Sequence, residues 1–206
     1  LKQVRTKYAL VLNPDTILDK DAIKNFLSRA QQNKDFWLMG PANDQMVKLN
    51  FNNSLADVNN LKGFAIFFNM SKFNNNFFDE NFFLYFEEID LCKSIIKKGE
   101  NIFTSNKLKI HHLGFQSSIN GNTDTNINLD KVREWHWMWS SFYFYKKNYN
   151  YFYAFYKMFG KLIKSLVKLL FYSITLQKNK KEKYLYRFLG LYNSFLNYPS
   201  YFREKK

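Results

Sequence analysis

A chain of 206 residues, 46% apolar and 20% aromatic, is too rich in core formers to be a disordered polymer. Its length suits one large domain, or one domain with an appendage, and its single cysteine, Cys92, excludes an intrachain disulfide framework and fits a reducing compartment. The net charge of +14 is uneven: residues 1–130 carry 15 Lys/Arg against 14 Asp/Glu, and residues 131–206 carry 16 against 3, so arguments from basicity start in the C-terminal third.

The opening LKQVRTK runs straight into YALVLN, too short and wrongly flanked for a secretion signal. YALVLN (8–13) is a continuous apolar run stopped by Pro14, the pattern of a strand buried on both faces of a parallel sheet. DKDAIKNFLSRAQQN reads as a helix that Asp19 or Asp21 caps, with Ala22, Ile23, Phe26, Leu27 and Ala30 as its apolar stripe. FWLMG (36–40) and FAIFF (64–68) are strands, and the Asn-rich 42–60 between them is a loop with room for an irregular strand. Ile89, Cys92 and Ile96 share one helical face that Gly99 terminates. NIFTS (101–105) and LKIHHL (108–113) are further strands, and this β-α-β order predicts an α/β sheet. Residues 114–130 read as a loop, 135–176 as two helices or one broken helix, 177–183 as a solvated break and 184–196 as a short final helix.

FFDENFFLYFEEIDLCKSIIKKG sets Glu87, Glu88 and Asp90 directly after a run of aromatics. Three acids in a helix's first turn are favoured by its dipole, so helix-start chemistry alone accounts for them. NPDT (13–16) puts Asn13 and Asp15 just beyond a strand, where α/β sheets bind ligands and a carboxylate can hold a hard cation; a plain Pro-Asp turn is the alternative. IHHLG (110–114) closes another strand with two histidines, of which His111 reads as structural.

In order and spacing, LNPDT, LKGFAIFF, FFDENFFLYFEEIDLCKSIIKKG and HHLGFQS resemble the inverting, family 2 glycosyltransferases of the GT-A fold. The likeness is to the bacterial rhamnosyltransferase-like branch that builds cell-surface polysaccharides, and it continues through REWHWMWSSFYFYKKNY and GLYNSFLNYPSYFR. The resemblance implies a partial GT-A, Rossmann-like mixed sheet with flanking helices over residues 1–130, then a basic aromatic helical region over 131–206. It implies a divalent metal, Mg²⁺ or Mn²⁺, held by Asp15 and His112. It makes Glu88 the catalytic base, and it places Asn13, Gly63, Glu87 and Asp90 in donor or acceptor binding, with helix capping as the alternative for Glu87 and Asp90. The donor is then a nucleotide-diphosphate sugar, rhamnose at the level of the family, and the acceptor a polysaccharide or lipid-linked saccharide. Aromatic residues around Glu88 are expected to exclude water and stack on sugar. The family carries a strand and a nucleotide-binding segment ahead of the NPD strand, so the chain reads as N-terminally truncated and is expected not to transfer sugar alone.

In 151–176, Lys157, Lys161, Lys164 and Lys168 recur every three or four residues along one helical face. Two arrangements fit: a helix lying among anionic headgroups at the inner face of the cell membrane, or one packing its apolar face on the catalytic domain with its lysines in water. Trp135, Trp137 and Trp139 alternate and would spread around a helix, so they mark no site. The rival readings are a non-catalytic membrane-surface protein and a nucleic-acid-binding basic protein; against the latter, the charges lie beside long apolar faces and no nucleic-acid motif occurs.

Overall fold

A computed structural model of the chain describes residues 1–42, 55–114 and 123–200. It is a mixed α/β protein whose contacts divide it into two compact units, Leu1–Asp79 with Glu88–Ser117 and Glu80–Glu87 with Ser118–Lys206. The sequence-based boundary lay at 130, whereas this division falls at 117 and assigns 80–87 to the second unit.

The first unit is built on a five-stranded sheet of β1 (Tyr8–Leu12), β3 (Leu38–Pro41), β4 (Ala56–Asp57), β5 (Ala65–Asn69) and β6 (Ile102–Ser105), in the order β1-β5-β3-β6-β4. β3 and β6 run parallel, and the other pairings are antiparallel. Side chains alternate across a strand, and FAIFF uses both faces. Ala65 and Phe67 join Ala22, Phe26 and Ala30 of α1 (Ala22–Gln32), while Ile66 and Phe68 join Leu91, Cys92 and Ile95 of α2 (Glu87–Ile96). Each helix therefore covers one face, and a strand between them must be apolar throughout. Fully burying a residue such as Phe26 contributes about 2–3 kcal/mol.

That reasoning corrects the expectation for YALVLN. β1 is an edge strand, antiparallel to β5, and all five of its residues are only half-buried. Its apolar run reflects packing from both helical layers onto the sheet margin, not a central parallel position. In α1, Ile23 and Leu27 are exposed, so the buried stripe is narrower than expected, and Asp21 makes no side-chain cap. In α2 the buried face is Leu91, Cys92 and Ile95, with Ile96 exposed. Gly99, at φ +76°, ends the helix as expected: its N–H donates to Ile96 O and that of Glu100 to Ile95 O. A separate ribbon pairs β2 (Thr16–Leu18) with β7 (Ile110–His112), antiparallel.

The second unit contains α3 (Thr123–Asn148), α4 (Tyr151–Ile174) and α5 (Lys178–Phe195), packed on one another around Met138, Phe142, Ala154, Met158 and Leu191. Two expectations change here. Residues 123–130 are helical, so the expected loop 114–130 is not one there, and 115–122 lie outside the described residues. Residues 178–183 are the first turns of α5, not a break. Lys and Glu are good helix formers, and these turns are tied to α3 by Lys131–Glu182 at 3.2 Å and Lys183–Glu134 at 2.9 Å. Polar composition marked solvent, not the end of a helix. The alternating tryptophans divide as expected for a helix: Trp135 and Trp139 are buried, Trp137 is exposed. Among the described residues, no helix is long and apolar enough to cross a membrane.

Candidate functional site

Asp15 and His112 come together because β2 and β7 pair in register. Thr16 lies opposite His112, and the Leu113 N–H donates to Asp15 O at 2.9 Å. The next residue outward from Thr16 is Asp15, and its Oδ1 lies 3.2 Å from His112 Nε2. Both side chains remain partly open to solvent, at 22% and 34% exposure. His111 falls on the opposite face of the ribbon by alternation. The Asn13 N–H donates to Phe64 O at 2.9 Å, and Thr16 Oγ1 donates to Asn13 O at 2.7 Å, which fixes the NPD turn against the strand that follows Gly63.

Phe64 links this pair to the acids. Its ring stacks on the His112 imidazole, with centroids 4.8 Å apart and planes 10° from parallel. The preceding residue, Gly63, backs directly onto Glu88: a Cβ built there would lie 3.1 Å from Glu88 Cδ and 3.3 Å from its Oε1. Adjacent Cα atoms are about 3.8 Å apart, so one dipeptide touches the Asp15–His112 pair with one residue and the Glu88 carboxylate with the other. Glycine at 63 leaves the carboxylate the space it occupies.

Glu88 also lines a cavity of about 250 Å³ with Pro41, Asn60, Leu61, Lys62, Ile89 and Thr104. Pro41 and Thr104 stand at the carboxyl ends of the parallel strands β3 and β6, the end of an α/β sheet where ligands bind. These walls are polar and aliphatic, so the expected aromatic surround does not line them. Of the aromatics before the acids, Phe77 and Phe78 pack on Phe68 in the first unit, while Phe82 packs against Tyr143 and both Tyr85 and Phe86 against Trp137 in the second. Lys62, Asn60 and Thr104 were missed from the sequence; only Lys62, inside the LKGF motif, carried a signal.

The other acids differ in setting. Asp90 is buried at 4% exposure. Glu87 belongs to the second unit, and its Oε2 is buried without a hydrogen-bond partner. Burial pushes the Glu87 carboxyl above its ordinary 4.5, and a backbone hydrogen bond partly opposes this. The folded chain thus holds this proton more tightly than the unfolded chain. Its contribution to stability is full below the ordinary value and is lost as pH rises through the raised one. Glu87→Gln is expected to remove that loss. The urea midpoint should become flatter across the weakly acidic range, and at neutral pH it should lie above that of the parent. A midpoint that falls at neutral pH would contradict this account of Glu87.

Burial pushes the Cys92 thiol up to about 11, which leaves it a poor nucleophile. No group of three or more His, Cys, Asp or Glu able to hold a metal occurs among the described residues. Asp15 and His112 supply two donors. An octahedral Mg²⁺ or Mn²⁺ with ligands at about 2.1 Å holds neighbouring ligands about 3 Å apart. The 3.2 Å pair is compatible with two adjacent positions, the remainder falling to water and ligand oxygens. No protein-family model matches the chain, and no curated protein matches it either.

Proposed function

We propose that this protein is an inverting glycosyltransferase of the family 2, GT-A type, using a nucleotide-diphosphate sugar and a saccharide acceptor of cell-surface polysaccharide assembly. The reading places it at the inner face of the cell membrane, where lipid-linked acceptors lie. What carries it is the Gly63–Phe64 dipeptide, which sets a carboxylate beside one residue and an Asp–His pair beside the next. Support also comes from the mixed sheet with helices on both faces and from the cavity at the carboxyl ends of β3 and β6.

In this reading the Glu88 carboxylate takes the proton of an acceptor hydroxyl as its oxygen bonds to the anomeric carbon. The bond from that carbon to the diphosphate breaks on the opposite side, which inverts the centre. Asp15 and His112 hold the divalent cation, which when bound supplies Lewis-acid stabilisation of the leaving diphosphate. Lys62, Asn60 and Thr104 offer hydrogen bonds for the sugar hydroxyls or the acceptor. Gly63 keeps the carboxylate unobstructed.

The direct test is metal binding. Mn²⁺ titrated with a nucleoside diphosphate and followed by electron paramagnetic resonance should bind the parent protein. Asp15→Ala and His112→Ala should each weaken that binding by at least about 10- to 100-fold, the loss that follows removal of a group that merely supports a metal ligand. Equal Mn²⁺ affinity in the parent and both variants would end the assignment of the pair.

A further inference from the structure

We propose that the outward face of α4 is a docking surface for anionic lipid bilayers. The helix packs on α3 and α5 through Ala154, Met158 and Ser165, all buried. Its other side shows Phe152, Tyr156, Phe159, Ile163, Leu170 and Ile174, exposed at 85, 77, 46, 43, 65 and 82%. These positions lie three, four or seven residues apart, spacings that return to one helical face, so they form one straight stripe about 33 Å long at 1.5 Å per residue. Isolated exposed apolar residues need no explanation, but a contiguous stripe of this length marks an interaction site.

The charge beside the stripe identifies the occupant. Lys157, Lys164 and Lys168 lie along one flank, between the stripe and the packed face, in a row parallel to the helix axis. Lys157 rests over the Tyr153 ring at 5.5 Å, and Lys168 over Phe171 and Tyr172 at 5.8 and 5.6 Å. Apolar stems along a hydrophobic margin with ammonium groups beside it is how lysine meets a membrane interface. Lys161 lies nearest the packed face of the helix, and burial and Arg187 both lower its pKa from the ordinary value. A convex helix face with a straight cationic border matches a plane of anionic headgroups better than a groove. It also disfavours a second copy, because residues 131–206 carry 16 basic against 3 acidic side chains and would repel their like. The proposal gives the membrane placement of the transferase reading a surface, and its test is independent of that reading, since lipid binding is measured without sugar transfer.

The test uses the 206-residue chain and co-sedimentation with vesicles of phosphatidylcholine alone or mixed with phosphatidylglycerol. Binding should require the anionic lipid and weaken with salt. The variant Lys157→Gln/Lys164→Gln/Lys168→Gln should bind the mixed vesicles about 100-fold less well, roughly fivefold for each charge near the surface. Ile163→Glu/Leu170→Glu, at solvent-facing positions, should lose more than about tenfold with an unchanged circular dichroism spectrum. If that pair fails to fold, the lysine variant decides alone. Equal binding to neutral and mixed vesicles, parent-like binding of the folded variants, or a dimer that the glutamate pair dissociates would each overturn the proposal.

Discussion

Replacing Glu88 with Gln is expected to lower sugar transfer by about 10²- to 10⁴-fold, the range for loss of a general base, with the fold unchanged. Gln keeps the shape and fills the same space against Gly63, but its amide cannot take the acceptor's proton. The measurement is nucleoside-diphosphate release from a panel of sugar donors. Thermal unfolding in parallel shows that both proteins are folded. Mn²⁺ binding should be unchanged, because Glu88 abuts Gly63 whereas the proposed Asp15–His112 pair is reached through Phe64. Glu88→Asp should keep measurable transfer, since the shorter side chain still carries a carboxylate able to take a proton. Full activity in Glu88→Gln would remove the base assignment, and loss of Mn²⁺ binding along with activity would point to collapse of the site.

The largest stability effect is expected at Gly190. Helix propensity alone favours alanine there by about 1 kcal/mol. However, a Cβ on Gly190 would lie 2.2 Å from the carbonyl oxygen of Trp135 and 2.9 Å from its carbonyl carbon. The obstacle is backbone of a neighbouring helix, which no side-chain rotation relieves. Around this contact Ser194 Oγ donates to Trp139 O at 3.0 Å and Trp139 Nε1 donates to Tyr198 O at 2.9 Å. Arg187 and Lys183 both bind Glu134, so α5 is pinned to α3 on either side of the glycine. Gly190→Ala must therefore separate the two helices, at about 3 kcal/mol or more, the upper end for overpacking. This corresponds to a fall of roughly 6–12 °C in the midpoint for a chain of this size. Circular dichroism at 222 nm reads it. A midpoint equal to or above the parent's would show that α3 and α5 are not locked at this distance.

The fold was legible where burial forces a pattern. FAIFF had to be apolar because helices cover both sheet faces, Ile102 and Phe103 of NIFTS divide between the same two faces, and Gly99 had to end α2 because the chain turns through positive φ there. YALVLN carries the same composition at a sheet edge, so an apolar run alone cannot separate edge from centre. Residues 123–130 and 178–183 misled for the opposite reason. Their polar side chains describe a solvated face, while the helices are extended by ion pairs between distant segments such as Lys131 and Glu182. At the candidate site, the residues named from motifs include the carboxylate and the Asp–His pair that Gly63–Phe64 joins. Asn60 and Thr104 were illegible because a cavity wall is a product of sheet order, which no local stretch of sequence encodes.

The assignment of residues 80–87 to the helical unit has a structural consequence. This octapeptide is held by Ser140, whose hydroxyl donates to Leu84 O at 2.8 Å, by Ser200, whose hydroxyl donates to Asn81 O, and by the Trp137 ring. Its last members before the acids, Tyr85 and Phe86, sit at φ +68° and +71°, a region bulky side chains enter only when their surroundings compel them. Cutting the chain ahead of α3 would free both residues to relax toward ordinary backbone conformations. A fragment that ends before α3 would therefore leave residues 80–87 without Ser140, Ser200 and Trp137, the groups that hold them in that conformation.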